Sequence, residues 1–343
     1  MKISIYVCLL SVLSFISCSD DSLPSSSQTP ESSSGRDQKV SSTATVTGLT
    51  NFKVANLSIP SSGIVDGKRF YSDGSLRANI AHYPYALMKV TKNGLPRIRF
   101  YVKPTAPTPS LLSGIYQYHH RAEFTRYPWT LNLPYKTEEW IGFSYIFPTA
   151  AEGFTQNQTP VSIYQNHPGR IAGMEINPPA VQLEIAYPNQ LKNYADPAYQ
   201  TPLGGEIMII NNVRGIRYVA PGVRVVPGAR LDIIIQLVYG TGSDGLFNVW
   251  INGKLMEFQG NSKVARGNVG STVWPAFPFG GNSKFGLYHH QEKYKSGVDK
   301  NYAKGHTNMV MWMTDWNDVF RHPGDWDYKN INGYDAVDTS TYP

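Results

Sequence analysis

Beyond residue 95 the chain alternates apolar and polar residues over short runs, and Gly, Pro and Asn separate the runs. Period-two alternation of that length predicts β-strands half-buried in a sheet. The runs are RIRFYVKP (97–104), WIGFSYIFP (140–148), PVSIYQNH (160–167), AVQLEIAYP (180–188), GEIMIINNV (205–213), RLDIIIQLVYG (230–240), LFNVWINGKLMEF (246–258), KFGLYHH (284–290) and TNMVMWMTDW (307–316). Asn252-Gly253 splits one of them with the dipeptide that a two-residue hairpin turn requires. No segment sustains a 3.6-residue apolar period, so the expectation is an all-β chain: a β-jelly-roll sandwich of antiparallel sheets.

The first 45 residues follow another pattern. MKISIYVCLLSVLSFISC has one Lys and a short apolar stretch before Cys18, which reads as a lipoprotein-type signal peptide over residues 1–17. Cys8 falls inside that signal, so the mature chain is expected to keep a single, lipid-bearing Cys18 and no disulfide. Residues 18–45 are Ser-rich and nearly free of large apolar side chains, the composition of a disordered tether. Residues 46–343 are then one folded jelly-roll domain. The expected location is the cell surface or outer membrane, after export, with the protein a monomer.

Composition narrows the partner. Twenty-two Tyr and 7 Trp beside only 16% charged residues suit a surface of flat stacking platforms. A net charge of +6 and a pI near 9.1 favour an anionic partner. Nucleic acid is not expected, because no Lys/Arg-rich run or recognition-helix pattern is present. An anionic polysaccharide fits a basic chain equally well and tolerates scattered charge.

Three strands carry polar side chains in period-two positions: Arg121 and Glu123, Gln165 and His167, and Lys284 and Tyr288 across Gly286. Such groups do not belong in a dry core, so they are expected to line a concave substrate groove. Singly, each has a plainer reading: a surface ion pair, a loop histidine, a packing tyrosine. His119, His120, His289 and His290 form two adjacent pairs; strand neighbours point opposite ways, so neither pair is a ready chelate.

In order, HHRAEF, EEWIGFSYIFP, VSIYQNH, LFNVWINGKLMEF and SKFGLYHH resemble the jelly-roll polysaccharide lyases that include heparin lyase I, glucuronan lyases and marine ulvan lyases. The resemblance covers roughly residues 115 to 320, and Asn166 stands where such enzymes usually have Trp. It implies β-elimination on a uronic-acid polymer. The chemistry requires the same residue types. The C5 proton is acidic only once the adjacent carboxylate is neutralised, for which Arg121, helped by Gln165, is the candidate. Tyr288 is the candidate base and acid for glucuronate, with Lys284 favouring its ionised form. For iduronate, His167 would take the proton and Tyr288 donate one. Glu123, Asn166, His119, His120 and His289 are expected substrate contacts.

A glycoside hydrolase needs paired carboxylates, and no strand here offers alternating acids. A non-catalytic carbohydrate-binding lipoprotein remains the alternative of another class. No cofactor is required. Structural calcium is open, with Asp299, DWNDVF and GDWDYKN as the acidic segments, although a C-terminal wrap over the sheet is the preferred reading of the latter two. Ulvan ranks first as substrate, glucuronan second and heparin-type chains third, with Arg214, Arg217, Arg224 and Arg230 as an expected rim.

Overall fold

A computed structural model describes residues 48–80, 84–102, 108–109, 115–117, 121–126, 136–157, 160–167, 179–190, 200–213, 215–240, 244–256, 282–289, 293–295, 308–325, 328 and 332–343. The signal peptide, Cys18 and the Ser-rich tether lie outside the described residues, as do His119, His120, His290, Arg214 and Asp299.

The strands in chain order are β1 (Leu49–Phe52), β2 (Leu76–Ile80), β3 (Leu87–Lys92), β4 (Leu95–Val102), β5 (Thr108–Pro109), β6 (Ile115–Gln117), β7 (Arg121–Arg126), β8 (Glu138–Ile146), β9 (Val161–His167) and β10 (Val181–Ile185). They continue with β11 (Glu206–Asn211), β12 (Ile216–Arg224), β13 (Arg230–Val238), β14 (Leu246–Ile251), β15 (Lys254–Leu255), β16 (Asn282–His289), β17 (Lys293–Lys295), β18 (Met309–Met313) and β19 (Trp316–Arg321). A short helix, α1 (Gly333–Val337), follows.

Two antiparallel sheets form the sandwich. One has seven strands in the order β12-β11-β10-β9-β16-β7-β2. The other has nine, with β15-β14-β13-β8-β18-β4-β3 as its path and β19 bridging β8 and β1. A small third sheet pairs β17, β6 and β5. Between the two large sheets runs one apolar core, in which Phe124 and Phe285 stack at 5.1 Å and Phe143 meets Phe285 edge-on at 5.2 Å. The predicted hairpin is present: Asn252 and Gly253 have φ of 52° and 77°, the left-handed values that such a turn needs.

Two expectations change here. DWNDVF is neither a wrap nor a calcium loop but mostly β19, paired along β8 with Asp318 turned inward, because Trp316, Asp318 and Phe52 share the apolar interior. Asp315 is engaged by the Val54 N–H at 2.7 Å and by Lys53 at 3.3 Å. Arg230 is no groove rim: it lies in the nine-stranded sheet, bonded to Asp232 at 2.8 Å and to the Tyr342 carbonyl at 2.8 Å. Arg224 donates to the carbonyls of Gly204 and Leu203. No helix of the described residues is long and apolar enough to cross a membrane.

Candidate functional site

Neighbouring strands β7, β16 and β9 run antiparallel, and alternation decides what each shows. Ala122 and Phe124 of β7 enter the core, which turns Arg121, Glu123 and Thr125 to the opposite, outer face. Phe285 and Leu287 of β16 do likewise, leaving Lys284 and Tyr288 outward. On β9, Tyr164 points inward and Gln165 and His167 outward.

The register then fixes distances along the sheet. Tyr288 stands directly opposite Arg121, and the guanidinium lies 5.0 Å from the phenol ring centroid. Lys284 stands between Thr125 and Gln165. Glu123 and Gln165 are two strands apart with Gly286 between them; with no side chain there, Gln165 Nε2 reaches across and donates to Glu123 Oε1 at 2.5 Å. Asn79 of β2 donates from Nδ2 to Glu123 Oε2 at 3.3 Å and accepts from Arg121 Nη1 at 3.2 Å.

Gly286 also marks a β-bulge: β16 has two residues, Gly286 and Leu287, where β9 has Ile163 alone. Its φ is +128°, and a Cβ there would fall 2.2 Å from the Ala122 carbonyl oxygen, so no other residue fits. The bulge takes backbone groups out of the ladder. Tyr145 satisfies them from the opposite sheet: its hydroxyl donates to the Ile163 carbonyl at 2.7 Å and accepts from the Gly286 N–H at 3.1 Å. Burial pushes that hydroxyl well above the ordinary tyrosine range, so it stays a donor.

The electrostatics of this face are unbalanced. Burial raises the Glu123 carboxyl pKa, while Lys284, Arg121 and the Gln165 hydrogen bond pull it down. Burial lowers the pKa of Lys284, partly offset by Glu123 and reinforced by Arg121. Among the described residues Lys284 makes no hydrogen bond or ion pair, and the two bonds to Glu123 both come from neutral amides. Two outward cations, Arg121 and Lys284, thus act on Glu123 from the same sheet face.

His167 stands elsewhere. It pairs with Asn282, whereas Tyr288 pairs with Ser162, so the two backbones are about 16 Å apart at roughly 3.3 Å per residue. Both address one sugar ring only by leaning towards each other across the Lys284–Gln165 row; Arg121 needs no such reach. Asn166 and His289 are not on this face. Asn166 is 2% exposed and donates inward to Tyr239 Oη at 3.0 Å and Ser283 Oγ at 3.3 Å. His289 is 1% exposed and pairs with the core residue Val161. Period two turns each away from the outward residue beside it, which corrects their expected role as substrate contacts.

Between the two sheets, against the inner side of these strands, lies a second polar cluster. Glu139 of β8 accepts from Ser283 Oγ at 3.0 Å and from the Tyr239 hydroxyl. Asp318 accepts from Arg126, which crosses from the other sheet. Burial, then repulsion from Asp318, pushes Glu139 up to about 8, while burial raises Asp318 to about 6 against the pull of Arg126.

No family model matches the sequence, and no curated protein matches it. Among solved structures, the chain is similar to an endo-β-1,4-glucuronan lyase from the fungus Trichoderma reesei, with 15% identity, 77% of this chain and 93% of that one covered, and a TM-score of 0.42. It is also similar to an alginate lyase, Aly36B, carrying alginate trisaccharide, with 12% identity, 80% and 98% covered, and a TM-score of 0.44. Likeness of this degree extends to the receptor-binding domain of botulinum neurotoxin type G, at 11% identity, 80% and 48% covered, and a TM-score of 0.34. The functional reading therefore stands on the chain's own residues.

Proposed function

We propose that the protein is a polysaccharide lyase that cleaves a uronic-acid polymer by β-elimination on the outer face of the seven-stranded sheet. The observation that carries this reading is Arg121 against the Tyr288 ring, on the same outer face as Lys284. An outer face that presents Arg121 and Lys284 suits an anionic chain, and a phenol flanked by a guanidinium suits proton transfer.

Arg121 and Gln165 hold the uronate carboxylate, whose charge must be neutralised before the C5 hydrogen becomes acidic. Lys284 adds positive charge one row away. Tyr288, with negative charge on its oxygen favoured by Arg121, takes the C5 proton; the C4–C5 double bond forms as the C4–O4 bond breaks, and the proton passes to O4. One product begins with a 4,5-unsaturated uronate, and the other ends in a new reducing end whose anomeric hydroxyl is the former bridging oxygen with the transferred proton. This is the syn path, open to glucuronate. His167 serves the neighbouring part of the chain, or iduronate if it leans inward. Ulvan, with both uronates and moderate sulfation, is the first substrate to try, then glucuronan and heparin-type polymers. Calcium has no assigned step. Export as a surface lipoprotein through Cys18 rests on the N-terminal sequence alone.

Hydrolysis is disfavoured by geometry. The outward acids Glu123 and Glu184 lie three strands apart, about 14 Å at roughly 4.8 Å per strand, against about 5 Å for a retaining pair.

The test is a panel of purified ulvan, glucuronan, alginate and heparin, read for the ultraviolet absorbance of an unsaturated uronate and for reducing ends. Elimination raises both signals. Reducing ends without absorbance would replace the lyase by a hydrolase, and neither signal on any polymer would favour a binding protein. Tyr288→Phe, which deletes one hydroxyl, should lower kcat on the preferred polymer by about 100- to 10,000-fold. Nearly intact turnover in that variant would remove Tyr288 from the mechanism.

A further inference from the structure

Asn79 lies on β2, the edge strand of the groove sheet, in a segment outside every motif that the sequence singles out. Its neighbours Ala78 and Ile80 are buried in the core, so Asn79 itself is turned outward onto the Arg121–Glu123 strand. The edge is braced from its free side. Gly67 donates to the Ala78 carbonyl at 2.9 Å, Ala78 donates to Lys68 at 2.9 Å, and the Ile80 N–H reaches Asp66 at 3.2 Å. The Asn79 side chain thus hangs from fixed backbone.

Both ends of its amide are used, in opposite senses. The carbonyl accepts from Arg121 Nη1 at 3.2 Å, and the amino group donates to Glu123 Oε2 at 3.3 Å. Glu123, holding that donor on one oxygen, accepts Gln165 on the other. An amide bound this way cannot flip: reversal would set its carbonyl against a carboxylate and its amino group against a guanidinium. The same logic passes to Gln165. Because Glu123 accepts one of its amide hydrogens, the nitrogen is fixed towards Glu123 and keeps its second hydrogen for another acceptor.

We propose that Asn79 is a positioning residue that sets the donor orientation of both Arg121 and Gln165, through Glu123 in the second case, and so prepares the carboxylate-neutralising pair. The proposal rests on the lyase reading for its catalytic consequence, but the wiring itself is independent of substrate. Asn79 touches no reacting atom. Its effect belongs to the transition state, where negative charge on the uronate carboxylate is greatest, so kcat and kcat/KM fall together while KM moves little.

The experiment uses the full chain with Asn79→Ala and Asn79→Asp. Asn79→Asp keeps the acceptor for Arg121 and removes the donor to Glu123, and being nearly isosteric it carries the test if Asn79→Ala fails to fold. Two readouts are taken. On the polymer that wild type cleaves, Asn79→Ala should lower kcat by about 10- to 100-fold with KM within about threefold. In nitrogen-15 NMR spectra, the Gln165 side-chain amide, assigned by its loss in Gln165→Leu, should give two distinct, slowly exchanging protons in wild type and a free-amide signature in either variant. Unchanged amide signals, or a wild-type amide that already exchanges freely, overturn the proposal. Unchanged kcat in both variants overturns it as well. If wild type yields no unsaturated product from any uronate polymer, the lyase reading falls, and the NMR comparison alone still decides whether Asn79 positions Gln165.

Discussion

A polar cluster lies on each side of the seven-stranded sheet, one centred on cations and the other on acids that the opposite sheet supplies. Outside, Arg121 and Lys284 face one carboxylate, Glu123. Inside, Glu139 and Asp318 face one guanidinium, Arg126. The inner cluster meets its surplus with a proton, because burial holds Glu139 neutral up to a pH of about 8. The outer cluster is built the other way, with Lys284 and Arg121 both attracted to Glu123. That contrast separates an acid pair closed within the core from cations presented on an outer sheet face.

The harshest way to break the contrast is Gly286→Ala. A Cβ at that position meets the β7 backbone at Ala122 and Glu123 and the Phe100 ring, so the strand must shift and the Gln165–Glu123 bond with it. The expected loss of stability is at least about 2 kcal/mol, measured by denaturant unfolding, and activity should vanish with it. A variant with wild-type midpoint and activity would show that the bulge is dispensable.

Lys284→Met separates the two properties. Removing a half-buried ammonium without a bonded partner should leave the melting temperature unchanged or slightly higher, while turnover of the anionic polymer falls about 10- to 100-fold and loses part of its salt dependence. Lowered stability would mean that the lysine is structural.

The smallest expected effect concerns the inner acids. Their folded pKa values lie above the ordinary ones, so the folded state binds protons more tightly. Stability is then fullest at acidic pH and declines as pH rises through the interval from about 4.5 to about 8. Glu139→Gln should flatten that decline in melting curves recorded from pH 5 to pH 8 and leave activity near wild type. A slope that survives the substitution would move its origin to another group.

Much of the groove was legible in the chain. The pairs Arg121 and Glu123, Gln165 and His167, and Lys284 and Tyr288 each share a face as alternation required, since a strand has only two faces. Asn166 and His289 were misjudged by disregarding that same alternation for residues adjacent to a motif. Asn79 and Tyr145 left no local signal. One is a lone asparagine on an edge strand, the other an aromatic in a run of core residues, and each acts on a segment distant in sequence. The N-terminal strands β1 to β3 were missed because their short runs carry weak alternation.

By itself the sequence determined the all-β class, the strands of the central sheets and the direction in which each side chain points, because period two is a local property of an extended chain. Which strands lie side by side, and in what register, came only from tertiary packing. Pairing depends on how two sheets bury their apolar faces together. That packing set Arg121 against Tyr288, moved His167 along the strand, and placed a tyrosine from the opposite sheet under the bulge.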